Sequence, residues 1–171
     1  SLDAFVAARD TAGHPERATV YMSDQSHTAL SRAATIVGVR PENVRKVKAD
    51  DLFRIDMEEL KRCVAEDRAA GFTPIAICAN AGTTNTGAVD PLGAMADYCE
   101  AEGIWFHVDA AYGGFAILTE KGKVLVKGLR GSSRNAIEAT LVRQDAGIVD
   151  ALVHVEDALA GVRGAAAALG G

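Results

Sequence analysis

The chain has 171 residues, is 49% hydrophobic and 5% aromatic, and carries a formal net charge of -5 at pH 7. This length and apolar content suit one globular unit with a single core, and an acidic, aromatic-poor chain offers no basic surface for nucleic-acid binding. No run of about 18 apolar residues and no signal-peptide pattern occurs, so we expect a cytoplasmic protein without membrane contact.

Helical and strand-like patterns alternate along the first two thirds of the chain. Apolar residues at helical spacing predict a helix in residues 2–9, a β-rich run predicts a strand at 18–23, and residues 26–38 return to helical spacing. Further strands are predicted at 44–50, 74–80 and 104–108, and further helices at 56–71 and 91–103. This alternation predicts an α/β fold, a three-layer sandwich in which a parallel sheet lies between helices.

Side chains that could carry chemistry follow three of the predicted strands. His27 follows the first strand, the GTTNTG loop at 82–87 follows the third, and Asp109 ends the fourth. Because the carboxyl ends of parallel strands meet at one edge of a sheet, we expect these residues to converge on one ligand. An isolated Asp109 carboxylate in a small-residue turn would be costly to desolvate unless a cationic group meets it.

Each of these features also has a purely structural explanation. Loop 82–87 has the glycine spacing of a phosphate loop, but Ala88 and Val89 stand where such a loop needs lysine and serine or threonine. A plain βα loop would use the same glycine and threonine residues for its turn geometry. His27 alone could open a helix, and Asp109 alone could cap the following turn. Their joint occurrence at one sheet edge favours a ligand site.

A metal site is not expected from the sequence. His107 and Asp109 lie two residues apart on one strand, yet no third ligand is spaced convincingly near them. The three cysteines, Cys63, Cys78 and Cys99, have no CxxC spacing, which argues against a zinc site and against a disulfide framework. We expect them to be packing residues.

Three motifs follow one another in a fixed order: YMSDQSHTALSRAATIVGV, NAGTTNTGAVDPL and WFHVDAAYGG. Together they resemble the central part of the pyridoxal-phosphate-dependent group II amino-acid decarboxylases, which include aromatic-L-amino-acid and glutamate decarboxylases. The resemblance covers residues 1–128 and implies part of the large domain of a fold-type-I enzyme, usually a homodimer. It further implies pyridoxal 5'-phosphate as the cofactor, and an L-amino acid, with an aromatic one as an option, as the substrate that loses carbon dioxide.

The resemblance also implies roles for individual residues, with Asp109 and His27 as the catalytic pair. Asp109 matches the aspartate that pairs with the pyridine nitrogen of the cofactor, where a carboxylate favours the protonated ring and so strengthens it as an electron sink. His27 matches the histidine that stacks on the ring and supplies a titratable proton. Ala111 matches the small residue on the opposite ring face, and Thr84 a threonine that contacts the cofactor. Thr28, at a helix start, is expected to help hold the phosphate.

The sequence departs from the family pattern in several places. Relatives carry the Schiff-base lysine in an Asn-x-His-Lys-type segment after HVDAAYGG, and no such segment follows here. Lys121, Lys123 and Lys127 are expected to be solvated surface residues instead. The phosphate-holding loop that precedes LDAFVAARD in relatives and their C-terminal small domain have no counterpart here, so we expect an incomplete fragment, truncated at both ends.

From about residue 129 the sequence leaves the family pattern. Apolar residues recur there seven apart, at Leu141, Ile148, Val155 and Val162. This spacing predicts one or two amphipathic helices, a helical tail over residues 129–171. One interpretation is a partner-binding or coiled-coil segment, although Gly147 and Gly161 interrupt the repeat. The other is that the tail packs over exposed sheet or is an unrelated continuation of the chain.

Three functions are compatible with these observations. The first is a pyridoxal-phosphate-dependent amino-acid decarboxylase, present as a fragment. The second is another fold-type-I pyridoxal enzyme of the aminotransferase or cysteine-desulfurase type. The third is a catalytically silent α/β module that keeps the scaffold. The SDQSH and GTTNTGAVDP motifs favour the first function, and the missing lysine favours the third.

Overall fold

The computed structural model describes residues 2–114 and two strands at 138–142 and 150–153. The helices are α1 (Leu2–Thr11), α2 (Thr28–Ile36), α3 (Met57–Ala69) and α4 (Leu92–Glu102), and a short 3-10 helix covers Pro41–Asn43. The strands are β1 (Ala18–Ser23), β2 (Val44–Val47), β3 (Thr73–Asn80), β4 (Trp105–Asp109), β5 (Glu138–Val142) and β6 (Asp150–Val153).

The six strands form one sheet in the order β2-β1-β3-β4-β5-β6. Neighbouring strands from β2 to β5 run parallel, and β6 pairs antiparallel with β5. The register places Asn80, the last residue of β3, opposite Asp109, the last residue of β4. The main-chain N–H of Ala81 then donates to the carbonyl oxygen of Asp109 at 2.8 Å. The carboxyl ends of β1, β3 and β4 therefore lie side by side.

Helices cover both faces of this sheet. Successive residues of a strand point to opposite faces, so Val20 and Met22 pack in one cluster and Tyr21 packs in the other. The first cluster also contains Phe5 of α1 and Leu30 of α2, and the second also contains side chains of α3 and α4 such as Leu60, Val64, Met95 and Cys99. The fold is a three-layer α/β sandwich, which confirms the prediction from the sequence.

The helix boundaries follow from local capping. The Asp56 carboxylate accepts hydrogen bonds from the main-chain N–H groups of Glu58 at 2.9 Å and Glu59 at 3.2 Å, so α3 begins after Asp56 as predicted. Helix α4 ends at Gly103, whose φ of 66° lies in the left-handed region that glycine tolerates best. Pro91 precedes the first residue of α4 instead of being that residue.

The prediction of a helical tail over residues 129–171 is wrong for the two tail segments that the structure describes. Strand β5 pairs parallel with β4, with Thr140 opposite Asp109, and strand β6 pairs antiparallel with β5. The physical reason is that the edge of β4 has main-chain groups that need hydrogen-bond partners, which EATLV supplies as a strand; the outer edge of β5 is in turn paired by DALV. The other residues of the tail, and Lys121, Lys123 and Lys127, lie outside the described residues.

The cysteines are packing residues, as predicted. Cys78 and Cys99 are buried, Cys63 is half-buried, and all three are free thiols. Burial raises the pKa of the Cys99 thiol to about 12, so it stays protonated near neutral pH. Within residues 2–114 and the two outlying strands, no helix combines the length and the apolar character that crossing a bilayer requires.

Candidate functional site

Asp109 is the half-buried last residue of β4. Its Oδ1 atom accepts a hydrogen bond from the main-chain N–H of Ala111 at 3.1 Å, so the carboxylate caps the following turn. Among the ion pairs of the described residues, none involves Asp109. One main-chain amide offsets only part of the desolvation of a carboxylate, so this position suits a ligand that brings a positive charge.

His27 is the N-cap residue of α2. Its Nδ1 atom accepts a hydrogen bond from the main-chain N–H of Ala29 at 3.2 Å, and its backbone is extended, with φ of -61° and ψ of 143°. The helix-opening explanation is therefore correct, but the His27 ring is exposed and stays accessible to a ligand. With Nδ1 acting as the acceptor, the neutral ring carries its proton on Nε2, which leaves Nε2 for a ligand. Thr28 begins α2 as predicted and is exposed.

Loop 82–87 is stabilised by Thr83, which the sequence did not single out. Thr83 is buried, its Oγ1 lies 2.7 Å from Oγ1 of Thr86, and it accepts a hydrogen bond from the main-chain N–H of Ala88 at 3.2 Å. These contacts are those of a plain βα loop. Thr84, the residue predicted to contact a ligand, is exposed on the same loop. The two adjacent threonines have opposite environments, which their sequence alone does not reveal.

The turn after β4 lies directly on the loop after β3. A Cβ atom at Gly113 would overlap the main-chain carbonyl oxygen of Ala81, and a Cβ atom at Gly82 would lie 3.2 Å from Cα of Gly113. Gly82 also has a φ of +96°, which side-chain-bearing residues rarely adopt. Because no side chain separates them, the two backbones are in contact, and this contact fixes Ala111 relative to loop 82–87.

A buried carboxylate joins the loops behind these residues. Asp90 is 2% exposed; its Oδ1 accepts from the main-chain N–H of Ile55 at 2.7 Å, and its Oδ2 accepts from the main-chain N–H and the Nδ2 group of Asn80 at 2.6 and 2.9 Å. Burial raises the pKa of Asp90, and these hydrogen bonds oppose the rise. The Asn80 Nδ2 group also donates to Oγ of Ser26 at 3.0 Å. Ser26, Asn80 and Asp90 lie within the motifs that carry the family resemblance, but the sequence assigned none of them a role.

His107 and Asp109 do not form a metal site with the residues that the structure describes. His107 is fully buried, and its ring centroid lies 6.0 Å from that of Phe5 on α1, so it belongs to the interior of the sandwich. No group of three or more potential ligands in the described ranges could hold a metal ion.

The structure places the predicted site residues at the carboxyl ends of three neighbouring strands. His27 and Thr28 follow β1, Thr84 follows β3, and Asp109 ends β4 with Ala111 two residues beyond it. These three strands are neighbours and run parallel, so all five residues lie at one edge of the sheet. Their location at one sheet edge agrees with the prediction, and their contacts with a ligand remain predictions.

Comparison with known proteins identifies the family. A family model described as the pyridoxal-dependent decarboxylase conserved domain matches residues 6–137. Aromatic-L-amino-acid decarboxylase from Bacillus atrophaeus is 43% identical over 114 residues, which are 67% of this chain and 24% of that protein. The crystal structure of Catharanthus roseus tryptophan decarboxylase in complex with L-tryptophan has a TM-score of 0.75 at 32% identity, over 82% of this chain and 31% of that chain.

A second crystal structure, Oryza sativa TDC with PLP, has a TM-score of 0.72 at 30% identity, over 82% of this chain and 30% of that chain. The chain thus spans about a quarter of the length of the curated relatives that it matches. The match to the family model continues to residue 137, beyond residue 128, where the sequence is predicted to leave the family pattern, and the division of the chain at 128 stays a prediction. The chain belongs to the pyridoxal-dependent decarboxylase family, contains part of its fold-type-I large domain, and has pyridoxal 5'-phosphate as its family's cofactor.

Proposed function

We propose that this chain is part of a pyridoxal-phosphate-dependent amino-acid decarboxylase, a carboxy-lyase that releases carbon dioxide from an L-amino acid. The observation that carries the proposal is the half-buried Asp109 carboxylate, whose hydrogen-bond partner among the described residues is one main-chain amide. A protonated ring nitrogen beside this carboxylate would offset its desolvation, and the carboxylate would in turn hold the proton on that nitrogen.

The described residues fit a flat ring with a positive nitrogen and a phosphate. Asp109 provides the negative charge, the exposed ring of His27 provides a flat surface, and Gly82 and Gly113 keep side chains out of the neighbouring backbone contact. The start of α2 at Thr28 provides main-chain N–H groups that favour an anion. When bound, pyridoxal phosphate supplies an electron-accepting ring that takes up the electron pair left behind as carbon dioxide departs.

The roles of the chain's own residues follow from their hydrogen bonds. Asp109 uses Oδ1 to accept from Ala111, which orients the carboxylate and leaves Oδ2 for the ring nitrogen. His27 uses Nδ1 to accept from Ala29, so a proton would be donated or received at Nε2. Ala111 leaves room for the ring, and the exposed hydroxyl of Thr84 is free to meet its polar substituents.

We further propose an aromatic amino acid as substrate, a homodimer as the complete assembly and the cytoplasm as its location. The aromatic substrate is supported by the aromatic-L-amino-acid and tryptophan decarboxylases that the chain is similar to. The homodimer is supported by the family resemblance. The three free cysteines are typical of proteins in a reducing compartment and support the location.

A second candidate function is a catalytically silent α/β module of the same family. Among the described residues, the lysines are Lys46 on β2, Lys48 after it and Lys61 on α3, and none follows β3 or β4. No described lysine therefore lies beside Asp109 on the neighbouring loops. Such a module would bind pyridoxal phosphate without a covalent bond and would not turn over.

Titration of the purified 171-residue chain with pyridoxal phosphate, followed by absorbance, tests the proposal. We expect the Asp109→Asn variant to bind on the order of ten-fold more weakly or worse, because it loses a charge-assisted hydrogen bond. Asp97→Asn removes the same charge from an exposed position on α4 and is the matched control. Equal affinities of the two variants and the wild type would contradict the proposed role of Asp109.

Borohydride reduction of the pyridoxal phosphate complex of the complete protein that contains this chain, with mass mapping, separates the two candidate functions. A single modified lysine together with carbon dioxide release from an aromatic amino acid would support the decarboxylase. Binding without any adduct, and without carbon dioxide release from a panel of aromatic and acidic amino acids, would support the silent module.

A further inference from the structure

We propose that Ser26, Asn80 and Asp90 act as positioning residues that hold His27 in place relative to Asp109. This inference rests on the proposed function, since it assigns the three residues to the site where His27 and Asp109 would meet pyridoxal phosphate. None of the three is proposed to touch the ring. They act through the hydrogen bonds that connect the loop after β1 with the end of β3.

Asp90 is the fixed point of this arrangement. Its two carboxylate oxygens accept three hydrogen bonds, one from Ile55 and two from Asn80, at 2.6 to 2.9 Å. Asp90 is also held through its own main chain, because its N–H donates to the carbonyl oxygen of Asn80 at 2.9 Å. A carboxylate that is 2% exposed and bonded on both oxygens has little freedom to move.

Asn80 connects this fixed point to both site residues. Its Nδ2 group has two hydrogens, and the structure gives each an acceptor: Oδ2 of Asp90 at 2.9 Å and Oγ of Ser26 at 3.0 Å. Because both partners accept, the orientation of the Asn80 amide is determined. The main chain of Asn80 lies opposite Asp109 in the β3–β4 register. One residue therefore contacts the strand that ends in Asp109 and the loop that leads to His27.

Ser26 transmits this constraint to His27. Ser26 is 8% exposed, its main-chain N–H donates to the carbonyl oxygen of Ser23 at 3.0 Å, and its side chain accepts from Asn80. The next residue is His27, whose Nδ1 caps α2. A displaced Ser26 would move the N-cap residue and with it the imidazole, while Asp109 would keep its own hydrogen bond to Ala111.

The test uses the full 171-residue chain and three serine variants. Ser26→Ala removes the acceptor of the Asn80 side chain, Ser26→Thr keeps an oxygen at the same position, and Ser31→Ala deletes a hydroxyl on α2 that is outside the network. The first readout is the ¹⁵N resonances of the His27 ring and of the Ala29 amide by NMR, because these report the Nδ1 cap directly. The second is the affinity for pyridoxal phosphate.

We expect Ser26→Ala to shift both resonances and to weaken pyridoxal phosphate binding by roughly two- to ten-fold, the range that corresponds to one net hydrogen bond. Ser26→Thr and Ser31→Ala should match the wild type in both readouts. Asn80→Ser removes the contact with Ser26 from the other side, together with the Nδ2 bond to Asp90, and should also shift the His27 resonance.

Unchanged His27 and Ala29 resonances in Ser26→Ala would overturn the inference, whether or not binding is weaker. Weaker binding without a shift would mean that Ser26 affects the site by another route. If the wild type does not bind pyridoxal phosphate, the proposed function fails for this chain. The resonances would still decide whether Ser26 positions His27, so the two failures are distinguishable.

Discussion

Gly113 lies so close to the main-chain carbonyl group of Ala81 that a Cβ atom on residue 113 would overlap the carbonyl oxygen. This contact joins the turn that contains Asp109 to the loop that contains Thr84. The obstacle is backbone and cannot rotate away, unlike the end of a flexible side chain. Any residue other than glycine must therefore displace one of the two loops.

We predict that Gly113→Ala lowers the free energy of unfolding by about 1–3 kcal/mol, the usual cost of inserting a methyl group into a packed site. Urea denaturation measures this value. Gly93→Ala is the matched control, because a Cβ at Gly93 on α4 meets nothing within 4 Å, and alanine favours a helix. Equal losses in the two variants would show that the Gly113 contact is not tight.

Asp90→Asn should also destabilise the fold. The amide has one acceptor oxygen and an NH2 group where the structure directs three donors at two carboxylate oxygens, so at least one buried N–H loses its partner. We expect a loss of about 1–3 kcal/mol in unfolding free energy. Asp51→Asn, at an exposed position, controls for the change in charge and should have no measurable effect.

Two arginines with similar hydrogen bonds should differ strongly in their contribution to the free energy of unfolding. Arg45 donates to both oxygens of Asp67, at 2.9 and 2.6 Å, and the Asp67 side chain is only 10% exposed. Arg62 makes comparable bonds to Glu59 and Glu66, but this trio is far more exposed. Arg45→Gln should cost about 1.5–3 kcal/mol, because a largely buried carboxylate loses its charged partner. Arg62→Gln should change stability very little, since solvent screens exposed ion pairs.

Chemical denaturation of the two arginine variants measures these changes, and one result would contradict the prediction. If Arg45→Gln and Arg62→Gln change the unfolding free energy equally, burial of Asp67 contributes nothing to the pair.

The free energy of unfolding should fall at acidic pH because Asp67 becomes protonated. Burial acts to raise the pKa of this carboxyl group, but hydrogen bonds from Arg45 and Tyr21 outweigh burial and hold the pKa below its ordinary value of 3.8. A carboxyl group whose pKa is lowered by folding stabilises the protein fully above its unfolded-state pKa, and this contribution is lost as the pH falls through the folded-state pKa. Burial raises the pKa of Tyr21, so its hydroxyl remains a donor throughout.

The difference in unfolding free energy between the wild type and Asp67→Asn should therefore be constant from about pH 7 to 5 and shrink below about pH 4. Urea denaturation at a series of pH values measures it. A difference that grows in acid would mean that the pKa of Asp67 is raised in the folded protein.

The layered fold of residues 2–109 could be predicted because its strands and helices have distinct local sequence patterns. Strand 18–23 matches its prediction throughout, and the buried run PIAICAN gave β3 because both faces of that strand are covered. The edge location of His27, Thr84 and Asp109 followed from the same alternation. Their proposed contacts came from the family resemblance and remain predictions.

The missed features depend on contacts between distant parts of the chain. The hydrogen bond from Asn80 to Ser26 joins residues 54 positions apart, and the one from Ile55 to Asp90 joins residues 35 apart. No local pattern around Asp90 indicates that its side chain is buried. The helical prediction for 138–142 failed for a related reason, since the edge of β4 that recruits this segment lies far away in sequence.

The chain segments around Ile55, Asn80 and Ser26 are linked by the hydrogen bonds of Asp90 and Asn80, and we expect them to open together. Ile55, which follows β2, and Asn80, which ends β3, both donate to Asp90, and Asn80 also donates to Ser26, which follows β1, so each of these connections is held by a hydrogen bond to another. Deuterium uptake at the amides of Ile55 and Asn80 should then report a common opening event with a single protection factor. The loops at the carboxyl edge of the sheet would then open as one unit, and the site would be preorganised before a ligand binds.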